Sequence, residues 1–292
     1  MRKSEKLLKN SHLFRALLSM IFLAGVVSVS VFPVTGRSQG NLFIMPRRVV
    51  FEGVKKSQEL TLANTGKDTA VYVVSFIQIR MTEEGTFDEI TIPDSGQYFS
   101  DQYFRIFPRT VVLAPKKSQV VKMQLIKKAK MIPGEYRSHL YFRSVPREKP
   151  LGEATTQLDT AAVNVHLVPV FGITIPAIIR VGECEGKVDI KDITVGKVND
   201  TVTRVKMKLM RTGNISVYGN MMIDYTSLEG KVTRVAAIKG IAVYTPKSFR
   251  TFECDLDRLS GVDYHKGKLN VVYSTPEDIK SSKLAEAEVM LN

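Results

Sequence analysis

Two cysteines and four histidines in 292 residues leave this chain little material for thiol or metal chemistry. Cys184 and Cys254 stand far apart in sequence, and His12, His139, His166 and His265 are scattered, so the close ligand spacings that hold zinc are missing. Also missing are a phosphate-cradling G-x-x-x-x-G-K-[ST] loop, a G-x-S-x-G nucleophile elbow and an H-E-x-x-H zinc motif. Glu83 and Glu84 are adjacent, but in a turn where solvated carboxylates are ordinary. No residue pattern speaks for an enzyme, a cofactor, a metal or a small-molecule substrate. A disulfide between the two cysteines requires the fold to bring them within about 7 Å. Cys254, which alternates with Phe252 and Leu256, reads equally well as a small buried hydrophobe.

Long apolar runs are confined to the start. Arg2, Lys3, Lys6, Lys9 and Arg15 precede the run Ala16 to Val34, the layout of a secretory signal. Residues 1–40 are therefore expected to be a signal peptide, and the remaining chain to leave the cytoplasm. The alternative is an uncleaved anchor, since the run approaches the roughly 20 residues that span a bilayer. Removing the first 40 of 292 residues leaves 252, enough for two domains that each bury a core. The net charge of +13 falls to about +8 once the six basic residues and one acidic residue of that segment are gone. Such a basic exported chain suits acidic proteins, anionic glycans or membrane surfaces. Nucleic acid fits poorly, because Lys116-Lys117 and Lys127-Lys128 lack the interleaved aromatics on which bases stack.

No stretch after residue 40 has a convincing helical period. "SQELTLANTG", "TAVYVVSFIQIRM", "SQVVKMQLIKK" and "EYRSHLYFRSVP" alternate apolar with polar residues and are rich in β-branched and aromatic side chains. Turn chemistry separates them at Asn64 to Asp68, Glu84-Gly85, Pro93 to Gly96 and Pro133-Gly134. The pattern predicts an all-β chain of two seven-stranded sandwiches, 41–176 and 177–292, with the boundary near Pro176 to Gly186. The terminal "LAEAEVML" has helical composition, yet Ala285, Ala287, Val289 and Leu291 alternate, which favours a last strand.

Three pieces in order, "RRVVFEG…SQELTLANTGKDTAVY", "FPRTVVLAPKKSQVVKM" and "GEYRSHLYFRSVP", resemble the N-terminal domain of the PapD-like periplasmic chaperones of the chaperone–usher pilus pathway. The resemblance covers 42–176, and the second half only in layout. It implies two immunoglobulin-like β-sandwich domains set at an angle, and a function without turnover in the periplasm. A chaperone of this kind lends a strand to a pilin-like subunit whose own sandwich lacks one, then hands it to an outer-membrane usher. The physical logic is that an incomplete sandwich exposes an apolar groove and unpaired backbone, and an added alternating strand fills both. The donor implied here is "AVNVHLV", with Val163, Val165 and Leu167 as its apolar face.

The resemblance also bears on the paired Arg47 and Arg48 at the head of "MPRRVVFEG". In the family an arginine on the first strand and a lysine near the end of the donor strand hold the subunit's C-terminal carboxylate. Arg48 matches that arginine by its spacing from Phe51, and a guanidinium binds a carboxylate by two parallel hydrogen bonds. Arg47 points to the other face of the strand, toward solvent. The lysine has no counterpart: alignment on Pro176 puts Phe171 or Gly172 in its place, and 161–179 contains no lysine. Arg48 acting alone, Arg180 or another cation substituting, and a different grip all remain open. The competing function is a structural or membrane-anchored β-sandwich of the cell envelope that donates no strand.

Overall fold

The computed structural model describes residues 41–126, 131–146, 170–199, 202–276 and 282–291. The expected signal segment 1–40 and the expected donor residues Val163, Val165 and Leu167 lie outside the described residues. The described chain is all-β, apart from one short 3-10 turn, and forms two β-sandwiches.

In the first sandwich, one sheet has the order β1 (Leu42–Met45), β3 (Ser57–Asn64), β9 (Ser118–Leu125), β7 (Phe104–Phe107). The facing sheet has the order β2 (Val49–Phe51), β11 (Gly172–Val181), β10 (Gly134–Val145), β4 (Ala70–Ile77), β8 (Thr110–Leu113). Pro46 and Pro108 lie between β1 and β2 and between β7 and β8, where the chain passes from one sheet to the other. Proline has no N–H for a ladder, so it belongs where pairing is interrupted. Counting each split strand once gives seven strands among the described residues of this sandwich. Alternation then sends Leu60, Leu62, Val121, Met123, Leu140 and Phe142 into a common core, where all are almost fully buried. A separate hairpin, β5 (Ile79–Met81) with β6 (Phe87–Glu89), stands off these sheets.

The second sandwich faces β12 (Gly186–Lys197), β13 (Thr203–Gly213) and β16 (Phe249–Asp255) against β15 (Val232–Val243), β14 (Val217–Thr226), β17 (Gly267–Ser274) and β18 (Lys283–Leu291). Its core includes Met207, Leu209, Ile223, Tyr225, Leu269 and Tyr273. The terminal segment is a strand, β18, paired antiparallel with β17. Cys184 and Cys254 are both free, and Cys254 packs against the second core. The expected boundary at 176/177 falls inside β11, whose pairing with β10 continues to Val181, so the second sandwich begins beyond it. Pro176 is accommodated because it precedes the short ladder with β2, which starts at Ala177.

Candidate functional site

Strand β10 is the key to the site because it is buried on both faces. Tyr136, Leu140 and Phe142 face the first core, so Glu135, Arg137 and His139 must face the opposite way. Those three polar side chains are only 2%, 2% and 3% exposed. Register continues the row: Glu135 pairs with Arg180 and His139 with Pro176 on β11. On the far side of β11, Val49 of β2 pairs with Ala177, so Arg48, one residue earlier, stands beside Pro176. Arg48, Arg137, Arg180 and Glu135 thus share one face of the sheet.

The second sandwich supplies the cover. Arg137 Nη1 donates to Glu135 Oε1 (3.3 Å), Ser216 Oγ (3.2 Å) and Thr245 Oγ1 (3.2 Å), and Nη2 donates to the Thr245 carbonyl (2.9 Å). Ser216 returns its N–H to Glu135 Oε2 (3.0 Å) and its hydroxyl to Oε1. The Arg137 guanidinium lies 4.1 Å from the centre of the Tyr244 ring. Behind this, Arg211 donates to the carbonyls of Lys247 (2.8 Å), Gly213 (2.7 Å) and Ile215 (2.9 Å), pinning the two turns that carry Ser216 and Thr245. Buried charges persist only when paired and hydrogen-bonded, and Glu135 meets both conditions. Burial pushes its carboxyl upward, but the charges of Arg137 and Arg48 and the two bonds from Ser216 outweigh that and hold it below the usual carboxylate range. Burial likewise pulls Arg137 down against the opposing pull of Glu135. His139 is lowered to about 3, first by burial and then by the charges of Arg137 and Arg48, so its ring is neutral.

Arg48 is the exception. Its guanidinium lies 4.7 Å from the Tyr218 ring centre and 5.8 Å from that of Tyr244. Yet both Nη1 and Nη2 are shielded from solvent without a hydrogen-bond partner among the described residues. The rings compensate part of the charge, but the paired N–H donors have no acceptor among the described residues, and a carboxylate is a group that would supply one. Arg47 is exposed, as its opposite facing requires. Arg180 is engaged elsewhere: its Nη1 pairs with Glu52 at 3.3 Å and its Nε approaches Glu135 Oε2 at 3.7 Å.

Among the described strands, an unpaired edge of β11 leads to Arg48. Residues 172–176 of β11 pair with β10 on one side, and among the described strands β2 flanks the other side only from Ala177 onward. The Tyr141 ring packs over the bare backbone of Gly172, where a Cβ would lie 2.0 Å from a ring carbon. The β5–β6 hairpin reaches across the same seam. Met81 is buried against Ala242 and Tyr244, with Tyr218 packed alongside, and the Thr251 N–H donates to the Glu83 carbonyl at 2.6 Å. Phe87 completes a group of rings with His139 (6.3 Å) and Tyr244 (6.1 Å).

Sequence reasoning singled out Arg48 and did not single out Glu135, Arg137, Ser216, Thr245, Tyr218 or Tyr244, which surround it in the structure. The available signal was the pair of charges at 135 and 137 alternating with Tyr136 in a strand that also carries Leu140 and Phe142. Their partners are 79 to 108 residues away, beyond any local pattern.

No family model matches the chain, and no curated protein matches it. Among solved structures it is similar to the YadV chaperone, at 14% identity and a TM-score of 0.42, over 86% of this chain and 100% of that one. It is similar to the CsuC–CsuE chaperone–tip adhesion subunit pre-assembly complex from archaic chaperone–usher Csu pili of Acinetobacter baumannii, at 11% identity and a TM-score of 0.44, over 85% and 97%. The CupB2 chaperone of Pseudomonas aeruginosa is similar at 13% identity and a TM-score of 0.39, over 85% and 99%.

Proposed function

We propose that this chain is a periplasmic assembly chaperone that captures pilin-like subunits by strand donation, with Arg48 holding the subunit's C-terminal carboxylate. The single observation that carries this reading is Arg48, a guanidinium whose edge is unpartnered at the end of the open β11 edge. A client strand laid along 172–176 takes the line of β2 extended backward. If its C-terminus is at Arg48, it runs parallel to β11, as β2 does. Main-chain bonds then supply affinity, and the carboxylate fixes register. The chain that precedes Gly172 carries Val163, Val165 and Leu167, whose alternation in sequence suits an apolar groove. Delivery to an outer-membrane usher follows from the resemblance of the N-terminal motifs.

The reading is tested by periplasmic co-expression with candidate subunits from neighbouring genes. A stable one-to-one complex is expected, with a subunit that aggregates or is degraded when expressed alone. Val165→Asp would bury an unpaired carboxylate in the client groove, and capture should fall at least about a hundredfold while the free chaperone still folds. Arg48→Ala should weaken capture by about 2–5 kcal/mol. Subunits that are soluble alone and do not co-purify would overturn the proposal in favour of a structural sandwich of the cell envelope.

A further inference from the structure

A guanidinium can be compensated in two ways, by a nearby π-system and by acceptors for its N–H donors. Arg48 has the first and lacks the second. Its edge nitrogens also have no solvent contact, so a carboxylate reaches them only after the cover moves. Two rings lie within 6 Å of the guanidinium, and they differ in freedom. Tyr244 is pinned: it is buried, carries the Arg137 guanidinium at 4.1 Å, and neighbours His139 at 6.0 Å and Phe87 at 6.1 Å. Tyr218 is the nearer ring and only half-buried, packed on the margin of the cluster formed by Met81, Ala242 and Tyr244.

We propose that Tyr218 is a gate for the Arg48 site: its ring occupies the guanidinium in the free chain, and an incoming chain-end carboxylate displaces it. This inference rests on Arg48 being the carboxylate anchor. It adds that the anchor is closed at rest, by a residue of the second sandwich positioned beside the β5–β6 hairpin. Capture then includes a step in which one cation–π contact is exchanged for a two-pronged, charge-assisted pair. Closure also shields the unpartnered edge from adventitious anions until a chain end of the right length and register arrives.

The test uses the full chain and two synthetic strand-forming peptides with alternating apolar residues, one ending in a free carboxylate and the other in an amide. Association rates and affinities are measured by stopped-flow fluorescence, together with the thermal midpoint of each variant. Tyr218→Ala should bind the free-acid peptide about fivefold more tightly, the weight of one cation–π contact no longer in competition. The gain should appear in the association rate and be absent for the amide. Tyr218→Phe keeps the ring and should match the parent, and Tyr218→Leu, which fills the space without a π face, should follow Tyr218→Ala if the latter folds poorly. In the parent protein, the ring-proton resonances of Tyr218 should shift when the free-acid peptide binds. If the parent prefers acid over amide but Tyr218→Ala and Tyr218→Leu bind the acid no better, the gate is overturned and the anchor stands. If the parent does not distinguish acid from amide, or binds neither, the anchor fails and the gate with it.

Discussion

Arg48 and Arg137 lie in the same seam and carry the same charge, but their removal should have opposite consequences. Arg137 is the main counter-charge of Glu135 and is bonded to both sandwiches, so Arg137→Ala strands a buried carboxylate. Breaking such a pair costs about 3–5 kcal/mol, which urea unfolding will read directly. Arg48→Ala removes donors that have no hydrogen-bond partner and leaves Glu135 its main partners Arg137 and Ser216, so stability should fall by only about 1 kcal/mol. His139 adds a pH dependence. Its folded value of about 3 lies below the ordinary histidine value of 6.5, so the unfolded chain takes up a proton that the folded chain refuses. Stability should therefore decline as pH falls from about 6.5 toward 3. Glu135, depressed in the fold, contributes stability above the ordinary carboxylate range that is lost only at lower pH. His139→Leu should accordingly flatten the decline between about pH 7 and 5 and leave the acid limb in place. At this scale the sequence pointed to Arg48 through the family resemblance and its spacing from Phe51. It could not disclose that Ser216 and Thr245 complete the pair beside it, because that depends on how two sandwiches meet.

Among the strands, the local pattern was most informative where one face is buried and the other wet. The alternation of Ala285, Ala287, Val289 and Leu291 outweighed helical composition, and β18 is a strand for that reason. It was least informative at β11 and β10, where both faces are covered and the period is blurred by burial. Pro176 looks like a boundary because proline lacks a ladder donor. It sits inside β11 because it precedes the pairing with β2, the open stretch to which the donor hypothesis assigns a client. The cysteine question closes as two free thiols, and burial pushes Cys254 up to about 11, a small apolar residue with little thiolate at neutral pH. The same edge makes Gly172 specific. Gly172→Val drives a side chain into the Tyr141 ring, 2.0 Å from the new Cβ, and should cost about 1–3 kcal/mol in urea unfolding. Because the clash lies at the open end of β11, client capture should fall further than stability alone explains.

For the whole molecule, the class was legible and the seam was not. Short alternating runs divided by turn residues determine two sandwiches, since each strand can bury its apolar face only against another sheet. What joins the sandwiches is a polar network, Glu135–Arg137–Ser216–Thr245, supplemented by the β5–β6 hairpin at Met81 and Glu83. Among the described residues, Arg48 keeps both Nη atoms buried without a hydrogen-bond partner, and the account turns on that residue. The most direct measurement is calorimetric titration of the intact chain with a strand-forming peptide ending in a free carboxylate, against its C-terminal amide, repeated on Arg48→Ala. The account predicts that the parent prefers the free acid by at least about thirtyfold, the equivalent of about 2 kcal/mol, and that Arg48→Ala binds both peptides equally and weakly. Equal binding of acid and amide by the parent, or an acid preference that survives Arg48→Ala, would contradict it.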